Sequence, residues 1–208
     1  MLLLGHTGIA LGAAVILTGT LASSRFSKAT RNVAMESPPL SSRAIPEDKA
    51  PWLDSLARRL DIRLLLIGSL LPDIIDKLFG HFFFRETFSN GRIFSHTLLF
   101  LILATAAGFY FYRRRSQTWL LSLSSGILAH LMLDQIWRVP QTLFWPLYGF
   151  AFVKADISNW IPNMLHALLT NPGVYIPELV GAVILTWFAW TLLRRRKIFA
   201  FIRYGQVR

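Results

Sequence analysis

Five apolar windows constrain the fold of this 208-residue chain more than any other feature. A helix that crosses a bilayer takes about 20 mostly apolar residues. The windows cover residues 1–22, 64–79, 93–112, 116–137 and 174–193. The third and fifth are the clearest, whereas the second is short and contains a proline and two aspartates. Because only helices satisfy the backbone of such segments in lipid, we predict an all-α, polytopic membrane helix bundle of about five spans.

The composition excludes two other classes of protein. Hydrophobic residues make up 53% of the chain and charged residues only 16%, with a mean hydropathy of +0.45. A soluble domain carries about 25% charged residues, and disordered segments need low hydrophobicity. The chain has no cysteine, so a disulfide framework, a thiolate metal site and a cysteine nucleophile are excluded as well.

The two long connections between windows differ in character. Residues 23–63 are polar and rich in serine and proline, which is typical of a flexible loop. Near the end of this loop, over residues 51–62, apolar side chains repeat at helical spacing beside arginines: Trp52, Leu53, Leu56 and Leu60. This pattern predicts an amphipathic helix that lies on the membrane surface. Residues 138–173 are rich in aromatic residues and proline, and we expect a second long loop there.

Residues 1–22 could also be a cleaved signal peptide. A signal peptide has a basic segment before its apolar run, and none is present here. We therefore predict that these residues form the first span. The predicted bundle consists of residues 1–22 and 64–193, with the 23–63 loop and a basic tail, 194–208, outside it.

The cations predict the topology. With five spans, one side of the membrane receives eight Lys and Arg from the 23–63 loop, three from Arg113–Arg115 and six from the tail, or 17 of the 22. Cytoplasmic segments carry the excess of Lys and Arg, so we predict an inner-membrane protein with its N-terminus outside and its C-terminus in the cytoplasm. Contact with anionic lipid then accounts for the net charge of +11, and no nucleic acid partner is predicted.

The histidines carry information that the charge count did not use. Under this topology all five fall on the outer half, and so do four aspartates. His130 and Asp134 are four residues apart and leave the same helical face. Neutral imidazole with carboxylate is a ligand set for zinc, manganese or iron. We predict a single metal centre from the following residues: His6, Asp73, His96, His130 and Asp134.

These residues also have interpretations without chemistry. A histidine within a membrane often makes a helix–helix hydrogen bond, as His6 could. Asp73 could cap a helix, and Asp134 could pair with Arg138 one turn later. Two further histidines fall in predicted loops and are expected to be exposed or to have supporting roles: His81 and His166.

Several short motifs occur in the order typical of one family. They are Gly5-His6, Leu71-Pro72-Asp73-Ile74-Ile75-Asp76-Lys77, Arg92-Ile93-Phe94-Ser95-His96-Thr97-Leu98-Leu99, His130-Leu131-Met132-Leu133-Asp134 and Phe144-Trp145-Pro146-Leu147. Over residues 1–22 and 64–150 the chain resembles the YdjM-like family of inner-membrane, predicted metal-dependent hydrolases. The resemblance implies a metal site formed by the same three histidines and two aspartates.

From this site we predict an enzyme, a membrane-embedded metal-dependent hydrolase with zinc or manganese as its cofactor. A site at headgroup depth meets lipid first, so we expect a phosphoester or ester of a lipid or lipid-linked substrate, with membrane lipid as the only other partner. The carboxylate among Asp76 and Asp134 that is not a ligand would act as general base. Lys77 and Arg92 are the nearest cations for a phosphate oxygen.

Two other functions use the same residues. Intramembrane histidine and aspartate also line ion pathways, so a metal or proton transporter or a metal-binding accessory protein is the main alternative. A transporter needs polar groups that continue into the cytoplasmic half, where Ser122, Ser124 and Ser125 are the main ones. The third possibility is a structural membrane protein without bound metal.

Overall fold

The computed structural model describes residues 2–16, 60–83, 91–152 and 159–205. These residues form helices and turns, with no strand among them, which confirms the predicted all-α class. The chain divides into two compact units, residues 13–59 and the remainder, and the fold given below is that of the remainder. Most of the predicted amphipathic helix at 51–62 lies outside the described residues.

The helices, in chain order, are α1 (Leu3–Ile16), α2 (Ile62–Gly68), α3 (Leu71–Lys77), α4 (Leu98–Arg115), α5 (Trp119–Leu133), α6 (Pro140–Leu143), α7 (Trp160–Thr170), α8 (Pro172–Arg194) and α9 (Ile198–Tyr204). A π-helical segment, Leu78–Phe83, continues α3. Two 3-10 turns, Phe94–His96 and Ile136–Arg138, precede α4 and follow α5.

The second apolar window does not form one continuous helix. Its chain turns at Ser69 and Leu70, and α3 starts with Pro72 in its first turn. Proline suits that position because it has no N–H to leave unpaired. The break has a consequence for the site, because it leaves the carbonyl of Ser69 available to a side chain from α5.

The 138–173 connection is helical over much of its length, which corrects the prediction of a long loop. It contains α6 and α7. Three of the four prolines in this segment lie in the first turns of helices, as Pro140 and Pro172 do at the starts of α6 and α8. There the ring helps to begin a helix instead of interrupting one.

Among the described residues, α8 alone is long and apolar enough to cross a membrane, judged by length and composition. Helices α1 and α5 are apolar but shorter. Helix α4 has 18 residues and ends in three arginines. The prediction of an all-helical protein is therefore confirmed for the described residues. The number of spans, five, stays a prediction.

Glycines let the helices approach closely at two places. A Cβ added to Gly8 or Gly181 would overlap the backbone of the other helix, where α1 crosses α8. The same holds for Gly68 and Gly126 where α2 crosses α5. Small residues at crossings of this kind are typical of helices packed within membranes. The α2–α5 crossing brings Ser69 next to Gly126 of α5, which lies one helical turn before His130.

Helix α9 docks onto the beginning of α2 through hydrogen bonds, and an ion pair at the beginning of α2 orients the arginine that makes one of them. Arg63 donates to the Asp61 carboxylate at 2.6 Å and also to the carbonyl of Ile202, and Ile62 N–H donates to the carbonyl of Gly205 at 3.0 Å. Burial raises the pKa of Asp61, but the hydrogen bonds from Arg63 outweigh it, so the pKa of Asp61 lies below its ordinary value. The docking of α9 through Arg63 thus depends on the ionised carboxylate of Asp61.

We expect this docking to weaken in acid. A carboxylate with a lowered pKa in the folded state stabilises the fold above its unfolded pKa, and the contribution is lost as the pH falls through the folded value. Hydrogen-exchange protection of α9 amides, corrected for intrinsic rates, should therefore fall below about pH 4. Asp61→Asn should show the lower protection already at pH 7. Equal protection of α9 in both proteins at pH 7 would contradict the assignment.

Candidate metal centre

Four of the five predicted ligands meet in one cluster. Asp73 comes from α3, His96 from the turn before α4, His130 from the last turn of α5, and Asp134 from the residue that caps α5. One possible ligand atom from each lies within 4.8 Å of the others. Both histidines are fully buried. The His130–Asp134 pair lies as helical spacing predicts, with Asp134 N–H donating to the carbonyl of His130 at 2.9 Å.

The fifth predicted ligand, His6, lies beside this cluster. Its ring stacks on that of His130 with the centroids 4.2 Å apart. Its Nε2 is 3.1 Å from Oδ1 of Asp134. His6 is 1% exposed, so α1 delivers a third buried imidazole to the same place.

Each imidazole is held by its Nδ1 atom. Nδ1 of His6 lies 2.7 Å from the carbonyl of Leu2, and Nδ1 of His130 lies 2.7 Å from the carbonyl of Ser69. Nδ1 of His96 lies 2.7 Å from the Asp76 carboxylate. A carbonyl or an ionised carboxylate only accepts hydrogen bonds, so each Nδ1 carries a proton, and each ring in its neutral form presents the lone pair of Nε2.

In neutral rings the Nε2 atoms of the three histidines are hydrogen-bond acceptors, and each of them faces another acceptor. Nε2 of His96 and Nε2 of His130 are 3.1 Å apart, and Nε2 of His6 faces the Asp134 carboxylate. Acceptors at such distances repel each other unless a cation lies between them, either an extra proton or a metal ion. Imidazole lone pairs with two carboxylates match the donor set of a divalent transition metal. The residues present therefore fit a metal.

Asp76 lies behind His96. It is fully buried and accepts hydrogen bonds from the backbone N–H groups of Ile93, Ser95 and His96 as well as from the His96 ring. A carboxylate that binds the second nitrogen of a ligand histidine fixes its tautomer and orientation. This position suits a residue that orients His96 better than the general base predicted from the sequence.

The two predicted cations bind the carboxylates of the cluster. Lys77 donates to Oδ2 of Asp73 at 2.7 Å, and Arg92 donates to Oδ2 of Asp134 at 2.7 Å. The Lys77 and Arg92 side chains are 35% and 42% exposed. The cations therefore mark the side on which solvent reaches the cluster.

Two supporting residues were not found from the sequence. The carbonyl of Ser69 accepts a hydrogen bond from His130, and the side-chain pattern of a sequence does not indicate which backbone carbonyls act as acceptors. Glu178 of α8 is 7% exposed and binds the beginning of α1. Its signal was present in the sequence, since a carboxylate within an apolar span indicates a function by default.

The remaining histidines lie elsewhere. His166 is exposed on α7, where its ring lies 3.4 Å from the Thr170 hydroxyl. It was predicted to be exposed, and it is, although on a helix instead of a loop. His81 lies within the π-helical segment that follows α3.

The described residues thus define a helical protein with a membrane-compatible helix and a His/Asp group able to bind metal. The family model of the YdjM inner membrane protein matches residues 1–204, and the chain belongs to this family. The match confirms the resemblance seen in the motifs and extends it to residues 23–63 and the last apolar window. The family is one of inner membrane proteins, which supports the predicted membrane location. No curated protein and no solved structure matches the chain.

Proposed function

We propose that this protein is a membrane-embedded, metal-dependent hydrolase that acts on a phosphoester of a lipid or a lipid-linked molecule. The observation that carries the proposal is the convergence of three Nε2 lone pairs and two carboxylates in a buried cluster. Asp73, His96, His130 and Asp134 would hold the ion, with His6 completing the set. Zinc or manganese held there would supply Lewis-acid activation of water at neutral pH.

The charge around the cluster favours an anionic substrate. Asp73, Asp76 and Asp134 face two cations, Lys77 and Arg92, so with neutral imidazoles the net charge is −1. A divalent ion changes it to +1. Preorganised positive charge stabilises a phosphoryl group as negative charge develops on its oxygens. A phosphoester therefore suits the site better than a neutral ester.

The two cations and the exposure of the carboxylates indicate where substrate and solvent would reach the cluster. Lys77 and Arg92 neutralise the ligand carboxylates, and their exposed heads are where a phosphate oxygen would arrive. Asp73 is 17% exposed, against 3% for Asp134 and 0% for Asp76. Solvent therefore reaches the cluster mainly beside Asp73. Because Asp73 and Asp134 would hold the ion and Asp76 orients His96, we assign none of the three as general base.

The site lies at one end of the bundle, which supports an outward-facing orientation. Ser122 of α5 accepts from Asp61 N–H at the end where α9 docks. His130 follows eight residues later, which is about 12 Å along a helix. The basic turn at Arg113–Arg115 precedes α5, at the end away from His130. With that turn in the cytoplasm, the cluster faces the outer leaflet, where phospholipid headgroups lie.

The topology has a direct test. Reporter fusions after Arg115 and after Arg208 should give cytoplasmic signals, and a fusion after Trp160 should give an external signal, because five spans place the 17-cation side inside. A cytoplasmic signal at Trp160 would refute the five-span topology and the outward orientation of the site.

The activity is tested with purified protein, zinc or manganese, and labelled phospholipids in detergent. We expect metal-dependent release of the labelled product. Asp73→Asn removes the charge of one ligand and should lower turnover by at least about 10-fold, and Thr186→Val, on the exposed surface of α8, should leave it unchanged. Bound metal without hydrolysis of any phospholipid or phosphodiester would refute the hydrolase and leave the metal centre standing.

The serines of α5 bear on the transporter alternative. Ser122 donates to the carbonyl of Thr118, the residue before α5, and Ser124 and Ser125 donate to that of Leu121 within the helix. Below the cluster, Gly68 and Gly126 bring the backbones of α2 and α5 into contact. These features favour a one-sided pocket. Metal flux into proteoliposomes that His130→Ala abolishes would favour the transporter instead.

A further inference from the structure

Glu178 is a buried carboxylate on α8, and side-chain packing alone does not explain why a carboxylate occupies this position. It is 7% exposed in the second turn of an apolar helix, where a carboxylate is costly. One of its oxygens accepts from Leu2 N–H at 2.6 Å and the other from Leu4 N–H at 3.0 Å. Both donors belong to the beginning of α1, more than 170 residues away in the chain.

These donors need a partner because the first N–H groups of a helix have none within it. The usual solution is a side chain at the residue before the helix, but Leu2 offers no oxygen. The carboxylate of Glu178 replaces it, and its negative charge also suits a helix N-terminus. Gly5 allows the approach, since a Cβ there would overlap Oε1 of Glu178.

Leu2 is hydrogen-bonded to both Glu178 and His6. Leu2 donates its N–H to Glu178, and its carbonyl accepts from Nδ1 of His6 at 2.7 Å. That bond fixes the tautomer in which Nε2 of His6 faces Asp134. A continuous path of hydrogen bonds therefore runs from α8 to the cluster.

We propose that Glu178 is a positioning residue of the metal centre, which acts through Leu2 to keep His6 in its ligand tautomer and orientation. The inference rests on the proposed metal-binding function. It assigns the last apolar window a role at a centre to which it contributes no ligand. It also separates Glu178 from a residue that only caps α1, because a cap alone would stabilise the fold without regard to the His6 ring.

A double-mutant cycle in detergent-solubilised full-length protein distinguishes the two roles, with Co²⁺ as the probe for affinity and visible spectrum. Glu178→Gln keeps the size of the side chain but presents an NH₂ group to one of the two N–H donors. We expect it to weaken Co²⁺ binding by about 10–100-fold and to shift the spectrum towards that of His6→Ala. In the His6→Ala background the same change should alter affinity by less than about twofold, because a residue that acts through His6 has no effect without it.

Equal losses of affinity in both backgrounds would make Glu178 a structural cap and overturn the proposal, and so would unchanged Co²⁺ binding by Glu178→Gln. Thr186→Val is the matched control on α8, since Thr186 is exposed and donates to the carbonyl of Ala182 in its own helix; it should retain wild-type affinity. If Glu178→Gln does not fold, Glu178→Asp takes its place in the cycle. Wild-type protein that binds no Co²⁺ would refute the metal centre itself, whereas additive losses refute only the role of Glu178.

Discussion

Replacing His130 with alanine is expected to remove the metal and the activity while the protein still inserts and folds. Its Nε2 lies at the middle of the cluster, 3.1 Å from Nε2 of His96, so no neighbouring side chain replaces it. The change leaves the carbonyl of Ser69 without its hydrogen-bond partner, which lowers the free energy of unfolding by about 1–3 kcal/mol. We expect the protein to tolerate this loss. Asp134→Ala should behave in the same way, since it removes the carboxylate that binds Arg92 and faces His6.

The measurement is metal content by mass spectrometry together with a thermal scan in detergent. His166→Ala is the control, because His166 is exposed on α7 and its ring contacts Thr170 of the same helix. It should keep both metal and activity. If His130→Ala retained full metal occupancy and His166→Ala lost it, the ligands would have to be sought in the 138–173 segment.

Gly126→Leu is expected to prevent stable folding. The position that a Cβ would take is filled by backbone atoms of Leu65, Gly68 and Ser69. Backbone cannot move aside as a flexible side chain does, so the α2–α5 crossing must open. Overpacked sites typically cost about 1–3 kcal/mol, and we expect at least the upper end here. The displaced Ser69 would also release His130.

The loss is measured as the yield of monodisperse protein and the midpoint of thermal unfolding. Leu128→Phe is the control on the same helix, since Leu128 is 45% exposed on the outside of α5. It adds bulk without entering the crossing and should leave the midpoint unchanged. A Gly126→Leu protein as stable as Leu128→Phe would show that α2 and α5 do not approach as described.

The sequence predicts those parts of the site that follow from local geometry. His130 and Asp134 are one helical turn apart in any α-helix that contains both, so their shared direction needs no knowledge of tertiary structure. The convergence of His6, Asp73 and His96 on that pair followed from a common depth at one membrane surface. The helical class followed from the apolar windows.

Other parts depend on contacts between distant segments. Asp76 accepts hydrogen bonds from a turn about 20 residues later, so its role in orienting His96 is set by how that turn folds back. The Ser69 carbonyl became an acceptor because α2 ends before α3 begins, a break that hydropathy does not register. Helix α7 was missed because prolines and aromatic residues concealed its helical spacing.

The metal content of the purified protein decides whether the His/Asp cluster holds a divalent metal. The wild-type protein is purified without chelator from cells grown with ample zinc and manganese, and its metals are quantified per chain. We expect about one divalent ion per wild-type chain, which His130→Ala loses. Less than about 0.1 ion per wild-type chain would contradict it, and the three buried imidazoles would then form a structural hydrogen-bond network.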